Sequence, residues 1–153
     1  MKNFEMILCG VDFSSPSEHA LEFAADLARR HVCPLTVAHV YEPPTLLTGD
    51  AAVATHPELF EQAEREAESE LERRRLQAQQ LLDSPVRAEM LRGAPAEALV
   101  AWARQHPCDV IVIATHGRTG LGRLLLGSVA EKVVRTAPCS VLVARATPAL
   151  VDG

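Results

Sequence analysis

The segment of this chain with the clearest chemical potential is the glycine-rich run ATHGRTGLGRLLLGSV at residues 114–129. Strand-like residues precede it, and a helix-like run follows it. The pattern Ser128-x-x-Glu131 predicts the start of a helix, because a serine cap and a glutamate three residues later satisfy backbone N–H groups. The first turn of a helix presents unpaired N–H groups and a positive dipole end. The segment therefore has the chemistry of an anion-binding site.

Two interpretations of this segment stay open at the level of sequence. In the first, Gly127 lets an anion approach with no Cβ in its way, while Gly117 and Gly120 allow positive φ. In the second, the glycines only make a tight turn and Ser128 only caps the helix. The spacing fits neither well-known phosphate loop. A Walker A loop needs a lysine between its second glycine and the serine, but Ser128 follows Gly127 directly. A dinucleotide fingerprint needs a glycine at the position of Leu125.

The elements that must position this segment alternate along the chain, which we interpret as one domain over residues 1–153. The predicted strands cover residues 4–11, 35–41, 86–91, 109–114 and 139–144. The predicted helices begin with a capping box at residues 15–18, near residue 58, at residues 93–97 and near residue 129. The second helix carries a narrow apolar stripe of Phe60, Ala63, Ala67, Leu71 and Ala78. Residues 42–57, with three prolines, are interpreted as a mobile loop.

Such alternation is typical of an open parallel α/β sheet with helices on both faces. Ligands of these sheets bind beyond the carboxyl ends of the strands, where the strand order reverses. Residues 11–14 follow the first predicted strand, and the glycine-rich segment follows the fourth. The two junctions would face one crevice if these strands are neighbours, which the sequence alone leaves open.

Composition restricts the class of protein. A net charge of -5 argues against a broad nucleic-acid-binding face. No apolar run approaches the ~20 residues that span a bilayer, and the first residues resemble a strand more than a signal peptide. The four cysteines form no C-x-x-C pair, which favours reduced thiols in a cytoplasmic protein. The histidines lack partners at ligand spacing, so we expect no metal site.

Three motifs resemble the signature of the universal stress protein family. They are Gly117-x9-Gly127-Ser128, Val11-Asp12-Phe13-Ser14-Ser15 after the first strand, and His39-Val40 at the end of the second. The likeness extends over nearly the whole chain. It implies a Rossmann-like, five-stranded parallel sheet of strand order 3-2-1-4-5, with the first strand beside the fourth. It also implies a homodimer that forms through the last strand, residues 139–144, an exposed edge of the sheet.

The resemblance further implies an ATP site across the carboxyl ends of the strands. By similarity, Asp12 and Val40 lie at the base, Ile113 and Ala114 flank the ribose, and Gly117, Gly127, Ser128 and Val129 hold the phosphates. Secondary candidates are Gly10, His116, Arg118 and Arg123.

One position departs from the family signature, because Ala114 stands where the signature has its first glycine. If that position needs only close approach to the ribose, binding weakens modestly. If it needs positive φ, an alanine strains the loop.

Three functions are consistent with these residues. The first is a cytoplasmic, nucleotide-dependent stress-response regulator that binds ATP without efficient turnover, with any Mg²⁺ carried by the phosphates. The second is a slow ATPase or autophosphorylating protein, with Ser128 or Ser14 as acceptor. The third is a dimeric interaction protein that has lost nucleotide because of Ala114. No catalytic group stands out, because hydrolysis needs a positioned base and carboxylates that hold a cation. We expect no membrane or nucleic-acid partner, and the downstream protein partner is not named by the sequence.

Overall fold

Five strands alternate with four helices in the computed structural model, which describes residues 3–43, 57–116 and 126–145. The strands are β1 (Ile7–Gly10), β2 (Leu35–Tyr41), β3 (Val86–Arg92), β4 (Val110–Ala114) and β5 (Ser140–Ala144). The helices are α1 (Ser15–His31), α2 (Pro57–Gln79), α3 (Pro95–Gln105) and α4 (Ser128–Thr136). The predicted order of elements is confirmed. Most of the predicted loop at residues 42–57, and residues 117–125 of the glycine-rich segment, lie outside the described residues.

All pairings in the sheet are parallel, and the strand order is β3-β2-β1-β4-β5. In the register of the central strand, Ile7 lies opposite Leu35 on one side and Val110 on the other. The predicted order 3-2-1-4-5 is therefore confirmed, and β1 is the neighbour of β4. This adjacency places the segments after both strands at the same edge of the sheet.

The core consists of two aliphatic layers, one on each face of the sheet. On one face α1 and α2 pack through side chains such as Ala24 and Leu71. On the other, α3 and α4 pack through side chains such as Leu99 and Val133. Strand β4, the neighbour of β1, is buried from Val110 to Ile113, as expected for a parallel strand covered on both faces.

Strand β1 is shorter than the predicted 4–11. The N–H groups of Glu5 and Met6 donate to the Asp109 carboxylate, at 2.5 and 3.1 Å, instead of to a neighbouring strand. A polar side chain thus replaces the ladder at the start of β1, because the apolar run alone does not specify where hydrogen bonding to another strand begins.

Helix α1 is capped one residue earlier than predicted. The predicted box begins at Ser15, whereas the N-cap is Ser14, in an extended conformation, and its side chain accepts from the N–H of Ser17. Pro16 occupies the first turn, where its missing N–H costs nothing. The helix ends at His31, and Val32 follows in the left-handed conformation with φ 52°.

The apolar stripe of α2 is most deeply buried in the second half of the helix. Leu71 and Ala78 are buried, Phe60 and Ala67 are half-buried, and Ala63 is exposed. Glu70 and Arg74 of α2 form an ion pair at 2.9 Å, and Arg74 also pairs with Glu18 of α1. The three arginines at residues 73–75 therefore each pair with a glutamate.

The four cysteines are free thiols. Complete burial raises the pKa of the Cys9 thiol to about 12, so this sulfur stays protonated. Within the described residues, no helix is long and apolar enough to cross a membrane. The same residues contain no cluster of three or more metal-ligating side chains.

Candidate functional site

A pocket opens where β1, β2 and β4 end and α4 begins. Its walls come from residues 10–12 after β1, residues 38–40 of β2, residues 113–116 at the end of β4 and residues 127–130 of α4, with Ser17 and Pro95 completing it. This is the point at which the chain connections diverge to the two sides of β1, the usual ligand position of an open parallel sheet.

The predicted site residues that the structure describes all line this pocket. They are Gly10, Asp12, Val40, Ile113, Ala114, His116, Gly127, Ser128 and Val129. They come from four separate parts of the chain, and the order of the strands brings them together. Gly117, Arg118 and Arg123 lie outside the described residues.

Asp12 organises the turn between β1 and α1. Its Oδ1 accepts the Ser14 N–H at 3.0 Å and also the Ser14 hydroxyl, while the Asp12 N–H donates to Ser17 Oγ at 3.3 Å. Aspartate side chains commonly accept hydrogen bonds from nearby residues of a turn in this way. The carboxylate is thus held in a fixed place at the wall of the pocket.

His39 supports the same turn from β2. Its Nδ1 lies 2.8 Å from the Val11 carbonyl oxygen, and since a carbonyl only accepts, Nδ1 carries the hydrogen. Phe13 stacks on the imidazole with a centroid distance of 4.2 Å and has a φ of 64°, which is unusual for a side chain of this size. His39 is thus hydrogen-bonded through Nδ1 and also lines the pocket.

Ala114 ends β4 in extended backbone, paired with Ala144 of β5. The next residue continues the ladder, since the Thr115 N–H donates to the Ala144 carbonyl at 3.2 Å. The alternative in which this position needs positive φ is therefore wrong. Ala114 carries no backbone strain, and the methyl group acts only through the space that it occupies at the pocket wall.

Helix α4 is capped by Gly127 and not by Ser128. Gly127 has an extended ψ of 155° and no side-chain cap bond, and its carbonyl accepts the first helical N–H, that of Glu131, at 2.9 Å. Ser128 is the first helical residue, so the predicted capping box is wrong by one position. The N–H groups of Ser128, Val129 and Ala130 precede the first intrahelical bond and lie at the positive end of the helix dipole.

The backbone of Gly127 fits tightly against the end of β4. Its N–H donates to the Thr115 carbonyl at 2.8 Å, and a Cβ on Gly127 would lie only 2.9 Å from that oxygen. Gly10 is also restricted, because a Cβ there would lie 2.9 Å from Leu99 Cδ1. Close packing against backbone therefore requires glycine at position 127, whereas at Gly10 the Leu99 side chain would have to shift; neither glycine has positive φ.

Sequence reasoning did not place several other residues in the pocket. They are Val11, Ser17, Ala38, Pro95, Thr115 and Ala130. Val11, Ala38 and Thr115 lie next to or near predicted site residues at the ends of strands. Their location at a strand end could therefore have identified them from the sequence. Pro95 carried no such signal, because only the packing of α3 beside β2 brings it to the site.

Comparison with known proteins agrees with this architecture. A model of the universal stress protein family matches residues 3–145. A universal stress protein of Thermus aquaticus, from the 3' region of a QAH/OAS sulfhydrylase, is 36% identical over 143 residues, which are 93% of this chain and 99% of that protein. Universal stress protein YxiE of Bacillus subtilis is 30% identical over 150 residues, with coverage of 93% and 99%.

Solved structures share the fold. Universal stress protein UspA from Lactobacillus plantarum superposes with a TM-score of 0.83 at 27% identity, covering 95% of this chain and 100% of that one. A universal stress protein in complex with cAMP gives 0.68 at 22% identity, with coverage of 95% and 100%. The Archaeoglobus fulgidus protein in complex with dAMP gives 0.64 at 24%, with coverage of 93% and 98%. With a family model and relatives that match nearly end to end, this chain belongs to the universal stress protein family.

Proposed function

We propose that this protein binds ATP in the pocket and acts as a nucleotide-dependent regulator of the stress response, without efficient turnover. The observation that carries the proposal is the convergence of nine candidate residues on one pocket beside the N-terminus of α4. The complexes of two family members with cAMP and dAMP support an adenine nucleotide as the ligand class.

The proposed arrangement follows the walls of the pocket. Asp12 and Val40 lie on the side formed by β1 and β2 and would hold the base, while Ile113 and Ala114 at the end of β4 would flank the ribose. The phosphates would lie on the opposite side, against Gly127, the N–H groups of Ser128 and Val129 and the positive end of α4. Mg²⁺ would arrive with ATP, held mainly by phosphate and water.

The first experiment concerns the purified protein without added nucleotide. We expect denaturation to release ATP that mass spectrometry identifies, or calorimetric titration of the nucleotide-free protein to show about one ATP per chain with micromolar affinity. If no nucleotide is released and no binding heat is found at several temperatures, the proposal is contradicted. In that case an Ala114→Gly variant that gains ATP binding would indicate a protein that lost its ligand.

A time course of ADP release separates the regulator from the slow ATPase. The Asp12 oxygen already accepts two hydrogen bonds from Ser14, so this carboxylate is engaged in the turn. We therefore expect bound ATP to persist over many hours. Steady release of ADP at a rate above the spontaneous one would favour the enzyme.

We also propose that the protein is a homodimer through β5. This strand lies at the edge of the sheet, and its residues 141–144 are only partly buried, whereas most of β4 beside it is fully buried. An apolar strand edge is a template for pairing with a second chain. We expect light scattering after size exclusion to give twice the chain mass of 16.6 kDa at micromolar concentration. A single-chain mass there would contradict the dimer.

A further inference from the structure

His116 holds a buried nitrogen that lacks a partner. Among the residues that the structure describes, His116 Nε2 is the buried side-chain nitrogen or oxygen without a hydrogen bond. Buried polar atoms in proteins are almost always hydrogen-bonded, since desolvation without a partner is unfavourable. A ligand group that approaches this nitrogen would remove that penalty.

The position of His116 beside α4 is fixed by the backbone. The Thr115 carbonyl accepts the Gly127 N–H at 2.8 Å, and the Thr115 N–H is held by β5 at 3.2 Å. The place of a Cβ on Gly127 is 3.4 Å from His116 Cα, so the two backbones are in contact. His116 and the first turn of α4 therefore form one wall of the pocket.

The contact at the other ring nitrogen is compatible with the tautomer that donates from Nε2. His116 Nδ1 lies 3.1 Å from the Thr115 hydroxyl oxygen. When this hydroxyl donates to Nδ1, the imidazole carries its hydrogen on Nε2 and presents an N–H donor. The first-turn N–H groups of Ser128 and Val129 line the same pocket. Donors of this kind suit an anionic oxygen.

We propose that His116 Nε2 donates a hydrogen bond to a phosphate oxygen of the bound nucleotide and so makes the pocket selective for phosphorylated over unphosphorylated adenosine. The inference rests on the proposed nucleotide binding and adds the residue that distinguishes nucleotide from nucleoside. Within the pocket the base end is formed by other residues, so the effect of His116 is confined to ligands that carry phosphate.

The test compares ATP, AMP and adenosine as calorimetric ligands of three proteins: the wild type, His116→Ala and His116→Gln. We expect His116→Ala to weaken ATP and AMP binding about tenfold, as for the loss of a hydrogen bond to a charged group, with adenosine changed less than about twofold. Glutamine places an amide N–H near the position of Nε2, so His116→Gln should recover most of the affinity. Thermal melting establishes that both variants fold.

A spectroscopic measurement on the wild type gives a second readout. In ¹⁵N-labelled protein, we expect the Nε2 resonance of His116, assigned by its loss in His116→Gln, to shift with AMP but not with adenosine. Two results would overturn this inference while leaving the proposed function intact. One is an equal loss of affinity for all three ligands in His116→Ala, and the other is an Nε2 resonance that does not shift with AMP. A wild-type protein that binds none of the three ligands would overturn the proposed function and the inference with it.

Discussion

Replacement of Gly127 by alanine is expected to weaken ATP binding at least about tenfold, a loss of ~1.4 kcal/mol or more. A Cβ at this position would lie 2.9 Å from the Thr115 carbonyl oxygen, which is backbone and cannot rotate away. The end of β4 and the start of α4 must therefore separate, and the hydrogen bond from Gly127 to Thr115 is stretched. The N–H groups proposed to hold the phosphates move with the helix. Calorimetric titration with ATP measures the loss.

The matched control is alanine at Gly93. Gly93 has a φ of +110°, and no atom lies within 4 Å of the place that a methyl group would take, so alanine there costs backbone strain of ~1–2 kcal/mol without a clash. Gly93 does not line the pocket. We expect Gly93→Ala to lower the melting temperature and to bind ATP like the wild type. If Gly127→Ala also binds ATP like the wild type, the start of α4 is not the phosphate site.

Replacement of Leu71 by alanine is expected to lower the free energy of unfolding by about 3 kcal/mol. Leu71 is only 3% exposed and belongs to the layer that α1 and α2 form on the sheet. Alanine removes three buried carbon atoms and leaves a cavity that the aliphatic neighbours fill only in part. Urea unfolding followed by circular dichroism at equal protein concentrations measures the change.

Leu76 provides the comparison on the same helix. Its side chain is 49% exposed, so the same substitution removes much less buried surface. Alanine also has the higher helix propensity. We expect Leu76→Ala to change the free energy of unfolding by less than ~1 kcal/mol. Similar losses for both variants would mean that α2 does not pack on the sheet through Leu71.

Much of the architecture follows from the sequence alone because its signals are local. The apolar runs and the 3.6-residue periods predicted every strand and helix. The cap residues of the helices could not be predicted as accurately, because a cap is defined by backbone dihedral angles. The capping pattern matched Ser15 and Ser128, whereas the caps in the structure are the residues one position earlier, Ser14 and Gly127.

The strand order and the family could also be predicted from the sequence, but only because its motifs resemble those of a known family. Periodicity predicted a parallel sheet and left the pairing of β1 with β4 open. The motif around Gly127 and Ser128 supplied the order 3-2-1-4-5, which the structure confirms. The candidate residues at the ends of β1, β2 and β4 could be named because ligand sites of such sheets lie there.

Only the tertiary structure decided what each of these residues contacts. It showed that Ala114 is extended and unstrained, that His39 reaches the Val11 carbonyl, and that His116 Nε2 is buried without a partner among the described residues. His39 and Val11 are 28 positions apart, and the Thr115 carbonyl accepts the N–H of Gly127, which is also distant in sequence. Contacts of this kind depend on how packed elements lie in space, and local sequence preferences carry no information about them.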